Sequence, residues 1–192
     1  MQMKVAVDKS VLQAVYADAP LANTVGYNSG VVLGNTTPIS LATITSVGSP
    51  IYGGAVAPLL AAGQALDQQN VPRDGSRWAV INAAWGAALK QSDLKSVLIT
   101  GDDKSPLCNG FLGEIDGMKV YVSNNLLNAV GATQSAPCSC LVGHSSAVAF
   151  ASQFQKPEML PNPRTFGTLV RGLNVYGFKT TKPEALAVVN IY

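Results

Sequence analysis

The closing third of this chain constrains its fold more than any other part. It opens with Gly143-His144-Ser145-Ser146-Ala147-Val148-Ala149-Phe150-Ala151. Two long extended runs follow, one from Arg171 to Lys179 and one from Lys182 to Val189, and they meet at Lys182-Pro183. Leu169, Leu173, Val175, Phe178, Leu186, Val188 and Ile191 are placed as the inward positions of buried strands. From Arg164 onward, charge is confined to Arg164, Arg171, Lys179, Lys182 and Glu184. A chain that ends this way is built to make a sheet and a surface, and the rest of the sequence must say what that sheet belongs to.

Charge is scarce elsewhere too. Charged residues make up 12% of the 192 positions and hydrophobic residues 47%, against roughly 25% charged in an ordinary soluble domain. An exterior so short of charge is expected to be in contact with other chains. A membrane-spanning helix is not the explanation, because no run approaches the roughly 20 apolar residues it requires. The net charge of +2, with no basic cluster, gives no sign of sequence-reading nucleic-acid binding. The amino terminus carries Lys4 but neither an apolar core nor a small-residue cleavage site, so no signal peptide is expected. Cys108, Cys138 and Cys140, an odd count with one C-x-C pair, fit a reducing cytosol and small buried thiols.

Taken in order, Met1 to Ala19 reads as a helix with Val5, Leu12, Val15 and Tyr16 on one face, ended by Pro20. Leu21 to Ser49 holds no charge and reads as a loop with a short strand at Gly30 to Leu33. Ile51 to Asn70 is a second helix, with Pro58 setting its first turn or bending an earlier start. Arg73-Asp74-Gly75-Ser76 turns into a short strand at Trp78 to Ile81. Asn82 then caps a helix from Ala83 to Lys90 that packs through Ala84, Trp85, Ala88 and Leu89. That strand, cap and helix order is shared with nucleotide-binding folds, yet no glycine-rich phosphate loop follows the strand.

A strand is expected at Val97 to Ile99, a polar loop from Gly101 to Pro106, a turn at Asn109-Gly110 and extended chain at Phe111 to Gly113. Glu114-Ile115-Asp116-Gly117 is another turn, followed by a half-buried strand from Met118 to Val122. Ser139 to Val142 reads as a strand and Ser145 to Gln153 as a helix, with His144 at its start. Pro157, Pro161 and Pro163 make Lys156 to Arg164 a rigid connection.

The chemistry this sequence could hold is limited. His144 is the sole histidine, so any Ser/His or Cys/His mechanism must use it. Cys140 and His144 lie across a strand end and a glycine and do not share a helix face. Cys108, Cys138, Cys140 and His144 match a zinc site in number but not in spacing. Asp102 and Asp103 lack the alternating oxygen ligands of a calcium loop, and Glu114 and Asp116 are explained by a turn. No Walker loop, dinucleotide fingerprint or nucleophile elbow occurs. No residue is therefore assigned a catalytic, cofactor-binding or metal-binding role, no cofactor is expected, and a structural or binding role is.

An ordered set of short segments carries a resemblance. It comprises Leu66 to Pro72, Arg77 to Ile81, Asn109 to Gly113, Val120 to Leu126, Gly143-His144 with Ala147 to Ala151, Arg171 to Gly177, and Lys182 to Leu186. In that order and spacing the chain resembles the major capsid (coat) proteins of tailed bacteriophages, the Hong Kong 97 phage-type shell fold. The resemblance implies an α+β subunit with two lobes. Residues 1-19 would end the family's spine helix, which Met3 to Leu12 resembles, and 20-91 would form the peripheral lobe. Residues 92-161 would form the axial lobe, and 162-192 the closing strands that return to the peripheral lobe. The family's N-terminal arm, extended loop and start of the spine helix have no counterpart in the sequence.

The function so implied is that of a non-enzymatic subunit of an icosahedral virion. It would be assembled in the host bacterial cytoplasm as a homo-oligomer of hexamers and pentamers enclosing double-stranded DNA. Scaffolding and portal proteins would be its partners, contact with packaged DNA would be non-specific, and no membrane would be involved. The alternatives are an encapsulin-like nanocompartment shell and a small Cys/His hydrolase or zinc protein.

Overall fold

The computed structural model describes residues 2–45, 54–91, 113–154, 158–162 and 164–192. The expected strand at Val97 to Ile99, the loop from Gly101 to Pro106, the turn at Asn109-Gly110, the extended Phe111-Leu112, and Cys108 lie outside these residues. Helix α1 (Gln2–Val15) runs into a single 3₁₀ turn at Tyr16–Asp18 and stops at Pro20, as the sequence predicts. Val15 is buried, Val11, Leu12 and Tyr16 are half-buried, and Val5 at the far end is exposed.

The segment expected to be loop contains more structure than that. Strands β1 (Thr24–Tyr27) and β2 (Val31–Leu33) form a hairpin, and a short helix α2 (Leu41–Thr45) follows. In β1, Thr24, Val25 and Gly26 are all buried, so the period-two signal is absent. Gly26 is required there. A Cβ at this position would sit 2.7 Å from the Thr37 carbonyl oxygen and still closer to that of Asn35.

Helix α3 (Ala57–Gln68) has Pro58 in its first turn, where a missing N–H costs nothing. Its buried face is Leu59, Ala62, Gly63, Ala65 and Leu66. Strand β3 (Arg77–Ile81) ends at Asn82, whose Oδ1 accepts the Trp85 backbone N–H at 2.9 Å and caps α4 (Ala83–Gln91). The packing face of α4 is Trp85, Gly86, Ala88 and Leu89, and Ala84 is exposed, contrary to expectation. Trp85 Nε1 donates to the Ala55 carbonyl at 2.8 Å, tying α4 to the turn before α3.

Strands β4 (Glu114–Ile115) and β5 (Met118–Val122) are joined by Asp116-Gly117, both with positive φ, as a tight hairpin turn requires. Strand β6 (Cys138–His144) is longer than the sequence predicts and buried throughout. With β11 (Leu186–Ile191) it completes a seven-stranded mixed sheet in the order β2-β1-β11-β6-β3-β5-β4. This sheet takes strands from each of the segments 20–91, 92–161 and 162–192.

Alternation divides the sheet into two faces. On one, Arg77 and Met118 lie at the α3 side: a Cβ on Gly63 would meet Met118 Cε at 3.5 Å. Arg77 is 1% exposed. Its Nη2 reaches Asp67 Oδ1 on α3 at 2.8 Å and also the Val71 carbonyl, and its Nε donates to the Pro72 carbonyl at 3.1 Å. Nη1 is buried without a partner among the described residues. On the opposite face Trp78, Val80, Tyr121 and Leu141 turn toward α1.

The expected helix at Ser145 to Gln153 is not formed. Strand β7 (Val148–Phe154) occupies most of it, paired antiparallel over seven residues with β10 (Asn174–Thr180). Cross-strand pairing explains the outcome: Phe150 lies directly opposite Phe178 and Val148 opposite Thr180, and such pairs outweigh the helix preference of the alanines. The rigid connection likewise contains a strand, β8 (Glu158–Pro161), paired with β9 (Thr168–Arg171). Pro161 closes β8 at the position where a ladder N–H is least needed.

Candidate interaction surface

The residues weighed for chemistry fall along one strand. Cys138, Cys140 and His144 share a face of β6, and the Cys138 and Cys140 Sγ atoms are 3.9 Å apart. Burial pushes the Cys140 thiol up, and the hydrogen bond from Cys140 draws the Cys138 thiol down. His144 is four residues farther along an extended chain, about 13 Å at roughly 3.3 Å per residue. Among the described residues no three His, Cys, Asp or Glu side chains gather to hold a metal ion.

His144 is committed to its own surroundings. Its Nδ1 accepts the Ser146 backbone N–H at 3.2 Å and lies 2.9 Å from Ser146 Oγ. That acceptance places the ring proton on Nε2, which donates to Asp74 Oδ1 at 3.1 Å. The Asp74 carboxyl is lowered by the Ser76 amide first and by His144 second. The order Ser146, His144, Asp74 has the connectivity of a nucleophile, base and orienting acid. Here the imidazole lone pair is engaged by an amide, so the group fastens the end of β6 to the 74–76 turn. Glu114 and Asp116 do not converge: Glu114 is exposed opposite Lys119, while Asp116 Oδ1 accepts from Arg73 Nη1 at 3.1 Å.

The unusual surface lies on the two ribbons outside the sheet. The β7–β10 ribbon is anchored to α1 and to the 3₁₀ turn that follows it. Tyr176 and Ser10 hydroxyls meet at 2.9 Å, and Thr180 Oγ1 donates to Asp18 Oδ2 at 2.6 Å. Phe150 and Tyr176 rings pack with centroids 6.4 Å apart. Between α1 and the sheet lies an open apolar groove of about 290 Å³, lined by Val11, Leu12, Val15, Trp78, Val80, Tyr121, Leu141 and Val148.

The β8–β9 ribbon pairs with no other described strand, and all its residues are exposed. Leu169, Leu173 and Val175, read from the sequence as buried, are exposed, whereas Leu186, Val188 and Ile191 of β11 are buried as expected. Hydropathy identified strands at Leu169, Val175 and β11, while Leu173 lies between β9 and β10; it could not say that one set meets its own core and the other faces outward. Two-stranded ribbons are marginal in water by themselves, and exposed apolar clusters of this kind mark contact surfaces. No described helix is long and apolar enough to cross a membrane.

The fold has solved counterparts. A chain from Mycobacterium phage Che8 superposes with a TM-score of 0.66 at 24% identity, over 98% of this chain and 59% of that one. A chain from the capsid structure of cyanophage P-SCSP1u gives 0.67 at 16% identity, over 100% and 63%. One from the asymmetric unit of the bacteriophage PhiM1 mature capsid gives 0.64 at 13% identity, over 99% and 61%. This chain thus spans about three fifths of the length of the solved chains it matches. No protein-family model and no curated protein matches it by sequence. At these identities the likeness concerns the fold: the chain has the α+β fold found in phage capsid structures, as the resemblance read from its sequence implies.

Proposed function

We propose that this chain is the structural subunit of a tailed-phage capsid, acting by self-assembly and not by catalysis. The observation that carries the reading is the superposition of nearly the whole chain on chains from two phage capsid structures. The distal β8–β9 ribbon supports it independently, since Met159, Leu160, Leu169 and Val170 stay exposed among the described residues. So does the low charge, because a subunit that buries its exterior against copies of itself needs little solubilising charge.

In this reading copies repeat one heterologous contact around symmetry axes, giving hexamers and pentamers that close a shell in the virion. Residues 20-91 and 162-192 serve the peripheral lobe and 92-161 the axial lobe, around a shared sheet. The shell encloses double-stranded DNA, and contact with it is sequence-independent and salt-sensitive. Portal and scaffolding proteins are the other partners such a shell implies, and assembly takes place in the host cytoplasm.

Electron microscopy of the purified chain tests the proposal. Rings or shells with five- and six-fold symmetry are expected, unchanged in the His144→Ala variant. Protein that stays monomeric at every concentration and ionic strength tried would overturn it.

A further inference from the structure

We propose that the distal ribbon, β8–β9 with its tip loop, is gripped on both faces at once by other copies of this chain. The inference rests on the shell-subunit reading and adds to it how this element is used.

Register decides the geometry. Directly paired residues share a face and successive residues alternate. Leu160 and Leu169 therefore lie on one face and Met159 and Val170 on the other. All four are exposed, Met159 at 76% and Val170 at 64% on the second face, Leu169 at 50% on the first. A ribbon lying on one partner would need a single apolar face and would keep the other polar; this one exposes a pair of large apolar side chains on each, with the Glu158–Arg171 pair beside Leu160 and Leu169 and with Thr168 on the face of Met159 and Val170.

Charge and area narrow the occupant. The ribbon strands carry only Glu158 and Arg171, which lie opposite each other and pair at 2.7 Å. With Arg164 at the tip the ribbon adds a single positive charge, not the basic cluster that a polyanion or a charged lipid surface needs. With Phe166, which is fully exposed at the tip, the ribbon presents on the order of 600 Å² of apolar side-chain surface, taking roughly 150–200 Å² for a fully exposed large side chain and scaling each by its exposure. Neither face holds more than about 250 Å² of it at the same scale, so a contact on one face alone would leave most of the ribbon's apolar surface in water.

The tip is prepared for such a contact. Asn162 accepts the Arg164 backbone N–H at 3.0 Å and donates from Nδ2 to Thr165 Oγ1 at 2.8 Å, and its own N–H reaches the Gly167 carbonyl at 3.0 Å. A loop held in this way loses little freedom on docking. The same chain offers apolar, uncharged surface to receive the ribbon, in the groove beside α1 and at exposed Tyr121 and Val122.

The test places one thiol on each face of the full chain, Met159→Cys and Leu169→Cys, in a Cys108→Ser background; Cys138 and Cys140 are buried. Maleimide labelling is followed in dispersed and in assembled protein. Both thiols react in dispersed protein, and both slow by at least about tenfold in the assembly. If assemblies form but either thiol labels at its dispersed rate, the two-faced grip is wrong while the shell reading stands. If the unmodified chain never assembles, the shell reading falls and takes this one with it. Should the cysteine variants alone fail to assemble, hydroxyl-radical footprinting of Met159 and Leu169 in the unmodified chain gives the same decision.

Discussion

Replacing Asp67 tests how the sheet is joined to α3. Its Oδ1 accepts from Arg77 Nη2 at 2.8 Å and from Arg73 Nε at 3.0 Å, and Arg73 also reaches Oδ2. The Asp67 carboxyl is held down at about 2, by the Arg73 hydrogen bond first and by Arg77 next, against the opposing effect of burial. A fall from 3.8 to about 2 corresponds to about 2.5 kcal/mol at 1.36 kcal/mol per pH unit. The side chain is 39% exposed, so solvent screening reduces this to about 1–1.5 kcal/mol. That is the loss expected for Asp67→Asn, which keeps an acceptor oxygen. Asp67→Ala leaves the sealed Arg77 guanidinium with neutral carbonyls only, and about 2–3 kcal/mol should be lost.

The assay is urea unfolding followed by Trp78 and Trp85 fluorescence, on protein kept dispersed by Met159→Glu. The folded-state value lies below the unfolded one, so the stabilisation is present above about pH 4 and is lost as pH falls through 2. The gap between the parent and the Asp67→Asn variant therefore closes on acidification. Asp67→Ala within about 0.5 kcal/mol of the parent at pH 7 would refute the reasoning, since ordinary surface substitutions fall in that range. A gap indifferent to pH would refute it equally.

Other expectations follow from single contacts. Gly26→Ala must displace the Asn35 and Thr37 carbonyls, and about 2–3 kcal/mol of stability should go, measured by chemical denaturation. Asn82→Ala removes the cap on Trp85 and should cost about 1–2 kcal/mol, with Asn82→Ser or Asn82→Asp recovering most of it. Leu141→Ala, at a fully buried position in the middle of β6, should cost about 3–4 kcal/mol, whereas Val170→Ala on the distal ribbon should change the melting of dispersed protein little.

How legible this fold was depends on what each residue's signal came from. Helices α3 and α4 and strands β3 and β5 were readable because proline, an asparagine cap and alternation are local causes, and β11 because an unbroken apolar run follows the Lys182-Pro183 break. Strand β1 was hidden because Thr24-Val25-Gly26 is buried on both faces and sits in a segment rich in turn formers. Strand β7 was misread because alanines between Val148 and Phe150 look helical until Phe178 and Thr180 are known to lie across from them. The exposure of Leu169, Leu173 and Val175 could not be read at all, since these are the same residue types that fill a core. The Cys138, Cys140 and His144 set was correctly placed close in sequence. Extended geometry then carried the imidazole away from the thiols to Asp74 and Ser146.

Sedimentation velocity of the unmodified chain beside a Met159→Glu, Leu169→Glu variant bears most directly on the claim that this subunit is built to be covered by its own copies. The unmodified chain should sediment as capsomers or larger bodies, and the variant as a folded monomer with an unchanged melting transition. If the two sediment alike, whether both as monomers or both as the same assembly, the ribbon is not the surface through which the chain finds its neighbours.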